Sequence, residues 1–107
     1  MALFRRRRKA GVAGSAAASK ADLEHLEQFV RSRRGVEALI EPRTTVTETT
    51  VILIAHDGEW TRRRIGSPDE ARRFGFRLGI PVYDVALVGY PQRMRDYNAR
   101  RKRAEAG

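Results

Sequence analysis

The residues best able to do chemistry in this chain lie at 56–59, where His56, Asp57 and Glu59 flank a glycine. A histidine beside carboxylates is a frequent general acid–base arrangement. Catalysis would also need a nucleophile or an enclosed substrate pocket, whereas this group falls at the tip of a predicted hairpin, which is exposed. We therefore interpret Asp57 as a turn residue and His56 with Glu59 as a cross-strand pair.

The other motifs that carry chemistry are missing from the sequence. Ser67 stands where a helix cap is expected, and no G-x-S-x-G context surrounds it. There is no P-loop and no G-x-G-x-x-G that follows a strand and opens a helix. The chain has no cysteine and only two histidines, which argues against disulfides, thiol chemistry and structural zinc. These observations predict a non-catalytic protein without a cofactor or metal, and a reducing cytoplasmic location.

Charge is the strongest functional signal, and it is unevenly placed. The net charge of the 107 residues is +9, of which residues 1–20 carry +6 and residues 91–107 carry +4. The chain between them is nearly neutral, so two basic ends flank a balanced body. This distribution is typical of proteins that bind RNA, DNA or an anionic membrane surface. A genome rich in GC, which favours arginine codons, is the alternative explanation for 19 arginines against three lysines.

Phosphate contacts are predicted for the basic N-terminal arm, one strand and the last helix. Trp60 with Arg62 and Arg64 resembles a stacking platform flanked by cations, although Trp60 could instead cover the apolar sheet face over Leu53 and Ala55. The predicted nucleic-acid-binding residues are Arg5, Arg6, Arg7, Arg8, Lys9, Arg62, Arg64, Arg93, Arg100, Arg101, Lys102 and Arg103.

A β-hairpin is the structural element around which the rest is arranged. Five apolar residues, 51–55, precede His56, and Asp57-Gly58 then predicts a two-residue type I′ turn. That turn would place Ala55 opposite Trp60. Both faces of the first strand are apolar, which predicts a central strand covered on both sides.

The remaining elements follow from caps and periodicity. A helix capped by Ser19 or Asp22 is predicted to run to about residue 34, followed by a short edge strand over 36–41 that ends before a proline. A helix is predicted from Ser67 to Gly79, then a parallel strand over 82–88, then a helix from Pro91 to about Arg103.

Together these elements predict an α+β fold, with a small mixed sheet of three to four strands built on the hairpin and three helices. The predicted organisation is a disordered basic arm over 1–18, a single domain over 19–103 and a disordered tail over 104–107.

Several segments of the sequence resemble those of a known group of proteins. They are Glu41-Pro-Arg-Thr-Thr-Val, Asp57-Gly-Glu-Trp-Thr-Arg-Arg-Arg, Gly79-Ile-Pro-Val-Tyr-Asp-Val and Gly89-Tyr-Pro-Gln-Arg-Met-Arg-Asp-Tyr. In them the chain is similar to small basic uncharacterised proteins of high-GC actinobacteria. The resemblance implies a cytoplasmic bacterial protein with no established activity. Such proteins are sometimes called oxidoreductases, but this sequence contains no dinucleotide, flavin or thiol motif.

Two functional hypotheses follow from these observations. The first is a nucleic-acid-binding or ribosome-associated protein that holds phosphates with little reading of sequence. The alternative is a homodimeric interaction module joined through a sheet edge or through the apolar face around Trp60. An anionic membrane surface is a third option, and no stretch is long enough for a transmembrane helix.

Overall fold

The computed structural model describes residues 18–106, and these residues form four helices and four strands. The helices are α1 (Lys20–Ser32), α2 (Pro68–Leu78), α3 (Val85–Val88) and α4 (Gln92–Ala106), and the strands are β1 (Glu37–Glu41), β2 (Thr50–Ile54), β3 (Trp60–Arg64) and β4 (Val82–Asp84). The α+β class with a mixed four-stranded sheet is confirmed. The described residues contain one helix more than the three predicted.

β1 lies inside the sheet, whose strand order is β3-β2-β1-β4. It pairs antiparallel with β2 and parallel with β4, so the prediction of an edge strand is wrong. Pro42 suggested an edge because a proline within a strand removes a ladder donor. It falls just after the last paired residue, Glu41, and therefore removes no donor from the ladder. Ala38, Leu39 and Ile40 are all buried, as in an interior strand with both faces covered.

The β2–β3 hairpin forms where it was predicted, but its loop has three residues instead of two. The Gly58 N–H donates to the Ala55 carbonyl at 3.0 Å, and the Ala55 N–H donates to the Glu59 carbonyl at 2.8 Å. Among the described residues only glycines have positive φ, and Gly58 has φ +95°. A type I′ turn needs positive φ at both central residues, which Asp57 does not adopt. The predicted two-residue turn is therefore wrong.

The extra loop residue shifts the strand register by one. Trp60 pairs with Ile54 and Arg62 with Ile52, whereas the predicted turn placed Trp60 opposite Ala55. A shift of one residue moves every side chain of a strand to the opposite face. Trp60 therefore shares a face with Ile52 and Ile54, and the predicted cover over Leu53 and Ala55 is wrong.

Helices cover both faces of the sheet and divide the core into two parts. On the α1/α2 face, residues of α1 and α2 pack against the inward side chains of β1 and β2: Leu26, Phe29, Ala71 and Phe74 meet Ala38, Ile40, Val51 and Leu53. On the α4 face, Met94 packs against Leu39, Ile52 and Ile54, with Trp60 and Val85 at the border. β2 is thus a central strand covered on both sides, as its two apolar faces predicted.

The N-cap of α1 is Ser19, one of the two residues predicted, and the N-cap of α2 is Ser67, as predicted. Ser19 Oγ accepts from the Asp22 N–H at 2.9 Å while Asp22 accepts from the Ser19 N–H at 3.2 Å, which is a capping box. Ser67 Oγ accepts from the Glu70 N–H at 3.1 Å and so acts as a helix cap. Gly79, with φ +70°, ends α2 in the left-handed conformation.

The segment 82–88 is a strand only as far as Asp84. The Asp84 carboxylate accepts from the Ala86 N–H at 2.8 Å and starts the short helix α3, so the prediction of a strand over the whole segment is wrong. β4 lies parallel to β3 in the same sheet, as predicted, although β1 and β2 lie between them. Leu87 and Val88, at the end of this helix, are exposed to solvent.

α4 continues three residues past its predicted end at Arg103. Arg101 donates to Glu105 at 3.1 Å one turn later, and alanines at 104 and 106 favour helix. Residues 104–106, predicted as part of a disordered tail, are therefore helical. Gly107 and residues 1–17, which include nearly all of the predicted disordered arm, lie outside the described residues.

Candidate nucleic-acid interface

α4 follows the sheet from one end of β1 to the other and then passes the hairpin loop. Just before α4, the Tyr90 hydroxyl donates to Glu41 at the end of β1 at 2.5 Å. Arg93 donates to Glu37 at the start of β1 at 2.8 Å. Arg100 then donates to the Asp57 carbonyl in the hairpin loop at 2.9 Å. The helix extends about 9 Å beyond Arg100, at 1.5 Å per residue.

The first half of α4 is held against the hairpin by three kinds of contact. Met94 is buried on the α4 face of the sheet. A Cβ on Gly58 would overlap the carbonyl oxygen of Arg93 and lie 2.9 Å from the Cβ of Tyr97, so the loop approaches the helix as closely as a glycine allows. The Trp60 indole N–H donates to the Asn98 side chain at 2.8 Å. These contacts fix the position from which the second half projects.

Arg34, which follows α1, and Arg100 of α4 both lie beside the hairpin loop. The His56 N–H donates to the Arg34 carbonyl at 2.9 Å, which places the residues after α1 beside the loop. Arg100 reaches the same loop from α4. We call this surface the basic end; its residues are Arg34, Arg100, Arg101, Lys102 and Arg103.

Carboxylates of the chain neutralise little of the basic end. Glu59 is bound by Arg33 at 3.1 and 2.6 Å, and this hydrogen bonding lowers the pKa of Glu59 although burial opposes the shift. Glu105 pairs with Arg101, but both side chains are mostly exposed, where such a pair contributes only about 0.3–0.5 kcal/mol. Within residues 18–106, the side chains of Lys102 and Arg103 have no hydrogen bond or ion pair. The end of α4 therefore keeps most of its positive charge.

Two of the predicted phosphate-binding arginines are instead held by carboxylates of their own chain. Arg62 makes two hydrogen bonds to Glu41, at 2.7 and 2.9 Å. Arg93 donates to Glu37 and to the carbonyl of Ala55, at 2.8 and 3.0 Å. A phosphate would have to displace these partners, so neither arginine belongs to the basic end.

The other predicted residues divide into two groups. Arg64 is exposed on β3 and already interacts within its own chain. The N-terminal residues Arg5, Arg6, Arg7, Arg8 and Lys9 lie outside the described residues. Of the seven predicted residues that the structure describes, the four from Arg100 to Arg103 lie in one exposed turn near the end of α4.

Arg34 is the member of the basic end that sequence reasoning missed. Gly35 follows it with φ +61° and turns the chain towards the hairpin, where a Cβ on Gly35 would meet the His56 Cβ at 3.0 Å. The sequence shows arginines at the end of α1 next to a glycine. The proximity of these arginines to α4 depends on the fold of the whole sheet, so it could not be predicted from the neighbouring residues in the sequence.

A second polar cluster, centred on Glu41, joins the sheet to the start of α4. The Glu41 carboxylate accepts hydrogen bonds from Thr50 at 2.6 Å, from Arg62 and from Tyr90, and its side chain is only 16% exposed. Burial raises the pKa of Glu41, but the hydrogen bonds from Arg62, Thr50 and Tyr90 together outweigh burial and lower the pKa below its ordinary value of 4.5. We call these four residues the Glu41 cluster.

The lowered pKa of Glu41 predicts a loss of stability in acid. The folded state favours the charged Glu41 carboxylate. Its contribution to the free energy of unfolding is therefore complete above the ordinary pKa of 4.5 and is lost as pH falls through the lower pKa of the folded state. Urea unfolding between pH 7 and pH 3 should therefore show a fall in the free energy of unfolding below about pH 4.5. Glu41→Gln should make this fall shallower, and an unchanged profile would contradict the assignment.

A groove lies between α1 and β3, with a cavity of about 230 Å³. Its lining residues are His25, Gln28, Phe29, Arg33, Glu59, Trp60 and Thr61. His25 shares a hydrogen bond of 2.6 Å with the Thr61 hydroxyl. Burial lowers the pKa of His25, and the charges of Arg63 and Arg33 lower it further against the opposing effect of Asp22. A neutral histidine is therefore favoured here.

The expected cross-strand pair of His56 with Glu59 does not form, and Glu59 instead pairs with Arg33.

The described part of the chain offers no metal cluster and no membrane span. Within it, no group of three histidine or carboxylate side chains is placed to hold a metal ion. None of the helices found between residues 18 and 106 is long and apolar enough to cross a bilayer.

Comparison with known proteins adds no relative to these observations. A scan against protein-family models gave no match, and searches of curated proteins and of solved structures found no significant similarity.

Proposed function

We propose that this chain is a non-catalytic basic protein of the cytoplasm that binds nucleic acid, RNA or DNA, through its phosphates. The observation that carries the proposal is the cationic second half of α4. Arg100, Arg101, Lys102 and Arg103 are all exposed there, and Glu105 is the single acid among the last described residues. Electrostatic contact with phosphates supplies most non-specific nucleic-acid affinity.

The geometry favours contact with the backbone over reading of bases. The cations lie near the C-terminal end of α4, where the helix dipole is negative and stabilises them. No backbone N–H groups of a helix N-terminus are offered to a phosphate there, so affinity would come from side-chain charge alone. Contacts of this kind position a protein on nucleic acid without specifying a sequence.

The N-terminal arm is the second element of the proposal. Arg5 to Lys9 are five consecutive cations with no acid within the first twenty residues. They would add phosphate contacts to those of α4. Deleting residues 1–10 should therefore weaken binding and flatten its dependence on salt.

The test is binding of the protein to RNA and to duplex DNA over a salt series. Counterion release predicts a linear fall of log K with log salt, with a slope of about 0.9 for each duplex phosphate contact. The double variant Lys102→Ala/Arg103→Ala should reduce the slope by about 0.9 for each cation removed. No measurable binding at low salt would exclude the proposal.

A matched variant distinguishes a specific contribution of the basic end to binding from a general effect of net charge. Arg43→Ala/Arg72→Ala removes the same charge from two exposed arginines that form no ion pair with another described residue. Arg43 follows β1 at the end of the sheet opposite the hairpin loop, and Arg72 lies on α2 over the other face. Equal losses of affinity in the two double variants would show that α4 is not the site.

Exposed apolar side chains near β4 support a homodimer as the second candidate function. Leu87 is 85% exposed and Val88 57% exposed, and Tyr83 lies on the β4 edge strand beside them. β4 carries no cation, whereas β3 has three arginines that would face each other across a two-fold axis, which is unfavourable. A second copy would therefore join through β4 and α3, and not through the face around Trp60, which α4 contacts.

Sedimentation of the purified protein, free of nucleic acid, tests the dimer. A dimer joined by apolar contacts should persist in high salt, and Leu87→Ser should shift it towards monomer. A protein that sediments as a monomer at all accessible concentrations would exclude this candidate.

A further inference from the structure

We infer that the second half of α4 binds in the major groove of duplex DNA, where Lys102 and Arg103 reach the phosphates of opposite strands. This location rests on the phosphate binding proposed for the basic end, and it specifies the form of nucleic acid that is bound. The part of α4 concerned is 98–106, in which every residue is exposed. Its last hydrogen bond to the rest of the described chain runs from Arg100 to the Asp57 carbonyl.

The second half of α4 has one face that points away from the domain. Met94, Tyr97 and Arg100 point towards the sheet and the hairpin loop. At about 100° per residue, the opposite side of the helix is formed by four residues with the spacing i, i+3, i+4 and i+7. We call this side the outer face; its residues are Ala99, Lys102, Arg103 and Ala106, and all four are exposed.

The two cations of the outer face are available to a ligand. Among residues 18–106, no hydrogen bond or ion pair engages the side chain of Lys102 or of Arg103. The two side chains leave the helix about 100° apart, so their charged ends, when extended, lie on the order of 12 Å from each other. Between them the helix carries only the methyl groups of Ala99 and Ala106. No long side chain therefore keeps a surface away from the helix.

Diverging cations of this kind fit a groove that has phosphates on both sides. The major groove of B-DNA is about 12 Å wide and 8.5 Å deep, and it admits an α-helix. A helix with its side chains is about 10–12 Å across, and α4 continues about 9 Å beyond Arg100. The projecting part of α4 is thus long enough to enter the groove. A single strand of phosphates would meet only one of the two diverging cations.

Other forms of nucleic acid fit the outer face less well. The minor groove of B-DNA, about 6 Å wide, is narrower than a helix. The major groove of duplex RNA is deep and narrow and its minor groove is shallow, so neither encloses a helix between two rows of phosphates. Single strands are bound largely by stacking of bases on aromatic rings. Residues 98–106 include no aromatic residue, and the Arg100 guanidinium already lies over the Tyr97 ring, 5.8 Å from its centre.

The first experiment compares binding of the full chain to a labelled DNA duplex and to the RNA duplex of the same sequence, at one low salt concentration. The DNA should bind at least about tenfold more tightly, because only its major groove admits the helix. Equal affinities, or tighter binding of the RNA, would overturn the assignment to the DNA groove and leave phosphate binding in place. No binding of either duplex would overturn both.

Filling one groove of the DNA tests the location directly. Glucosylated 5-hydroxymethylcytosine in place of cytosine carries its bulk at C5, which faces the major groove, and leaves the phosphates unchanged. This DNA should bind at least about tenfold more weakly, whereas netropsin, a ligand of the minor groove, should change the affinity little. A stronger effect of netropsin, or no effect of the glucosylated base, would overturn the assignment.

A pair of variants tests the outer face on the protein. Ala99→Phe and Ala104→Phe add the same bulk to two exposed positions without changing the charge, but Ala104 lies on the other side of the helix. Ala99→Phe should bind duplex DNA several-fold more weakly than Ala104→Phe does, and circular dichroism should show unchanged helix content in both. Equal affinities of the two variants would overturn the assignment. If Ala99→Phe loses helix content, the glucosylated DNA still decides.

Discussion

Replacing Gly58 by alanine is expected to lower the free energy of unfolding by about 3 kcal/mol, from the sum of backbone strain and steric overlap. Gly58 has φ +95°, which L-residues rarely adopt. Its new methyl group would also overlap the Arg93 carbonyl in the backbone of α4. Because a helix backbone cannot move as a side chain can, either the loop or the whole start of α4 must shift.

Gly79→Ala is the matched control for Gly58→Ala. Gly79 also has positive φ, but a Cβ there meets nothing within 4 Å. It should lose only the conformational part, about 1 kcal/mol. Urea unfolding measures both values, and the fluorescence of Trp60 reports whether Asn98 still accepts its N–H. Equal losses in the two variants would show that the close approach of loop and helix contributes nothing.

Glu41→Ala is expected to lower the free energy of unfolding by about 2 kcal/mol, because it leaves several polar groups without their partner. Arg62, Tyr90 and Thr50 all donate to this one carboxylate. Removing an acceptor costs the desolvation of each donor that stays buried, although Arg62 is exposed enough to recover water. The loss should also loosen the connection between β1 and the start of α4.

Glu105→Ala provides the comparison for Glu41→Ala. Glu105 makes a single exposed ion pair with Arg101, so its removal should change stability by about 0.3–0.5 kcal/mol. A double-mutant cycle of Glu41→Ala with Tyr90→Phe should show coupling of the two residues through their hydrogen bond. Additive effects in that cycle, or a loss as small as that of Glu105→Ala, would contradict the role given to the Glu41 cluster.

The sequence predicted those elements whose signals are local. Ser67 is followed within three residues by the groups that complete its cap, so the start of α2 could be predicted directly, and the start of α1 was narrowed to a cap at Ser19 or Asp22. The apolar run before Asp57 and Gly58 likewise placed the hairpin. In each case a few neighbouring residues determine the geometry.

Features that depend on competition between alternatives were not predictable in this way. An Asp-Gly pair fits a two-residue turn and also a three-residue loop that ends in glycine, and the choice between them exchanged the faces of β3. β1 gained its interior place from β4, which lies far along the chain. The partners of Arg62 and Arg93, Glu41 and Glu37, are likewise long-range, so the sequence could not show that these two cations are engaged.

The order of the strands has a consequence for how the molecule folds. β1, β2 and β3 are consecutive in the chain and adjacent in the sheet. Ala38 of β1 can pair with Val82 of β4 only after α2 has crossed one face of the sheet from β3 to the opposite edge. Closing so long a loop costs entropy before any contact repays it. The β1–β2–β3 meander should therefore form early and β4 should dock late. β4 and the adjoining helix α3 should then be the first part of the domain to open.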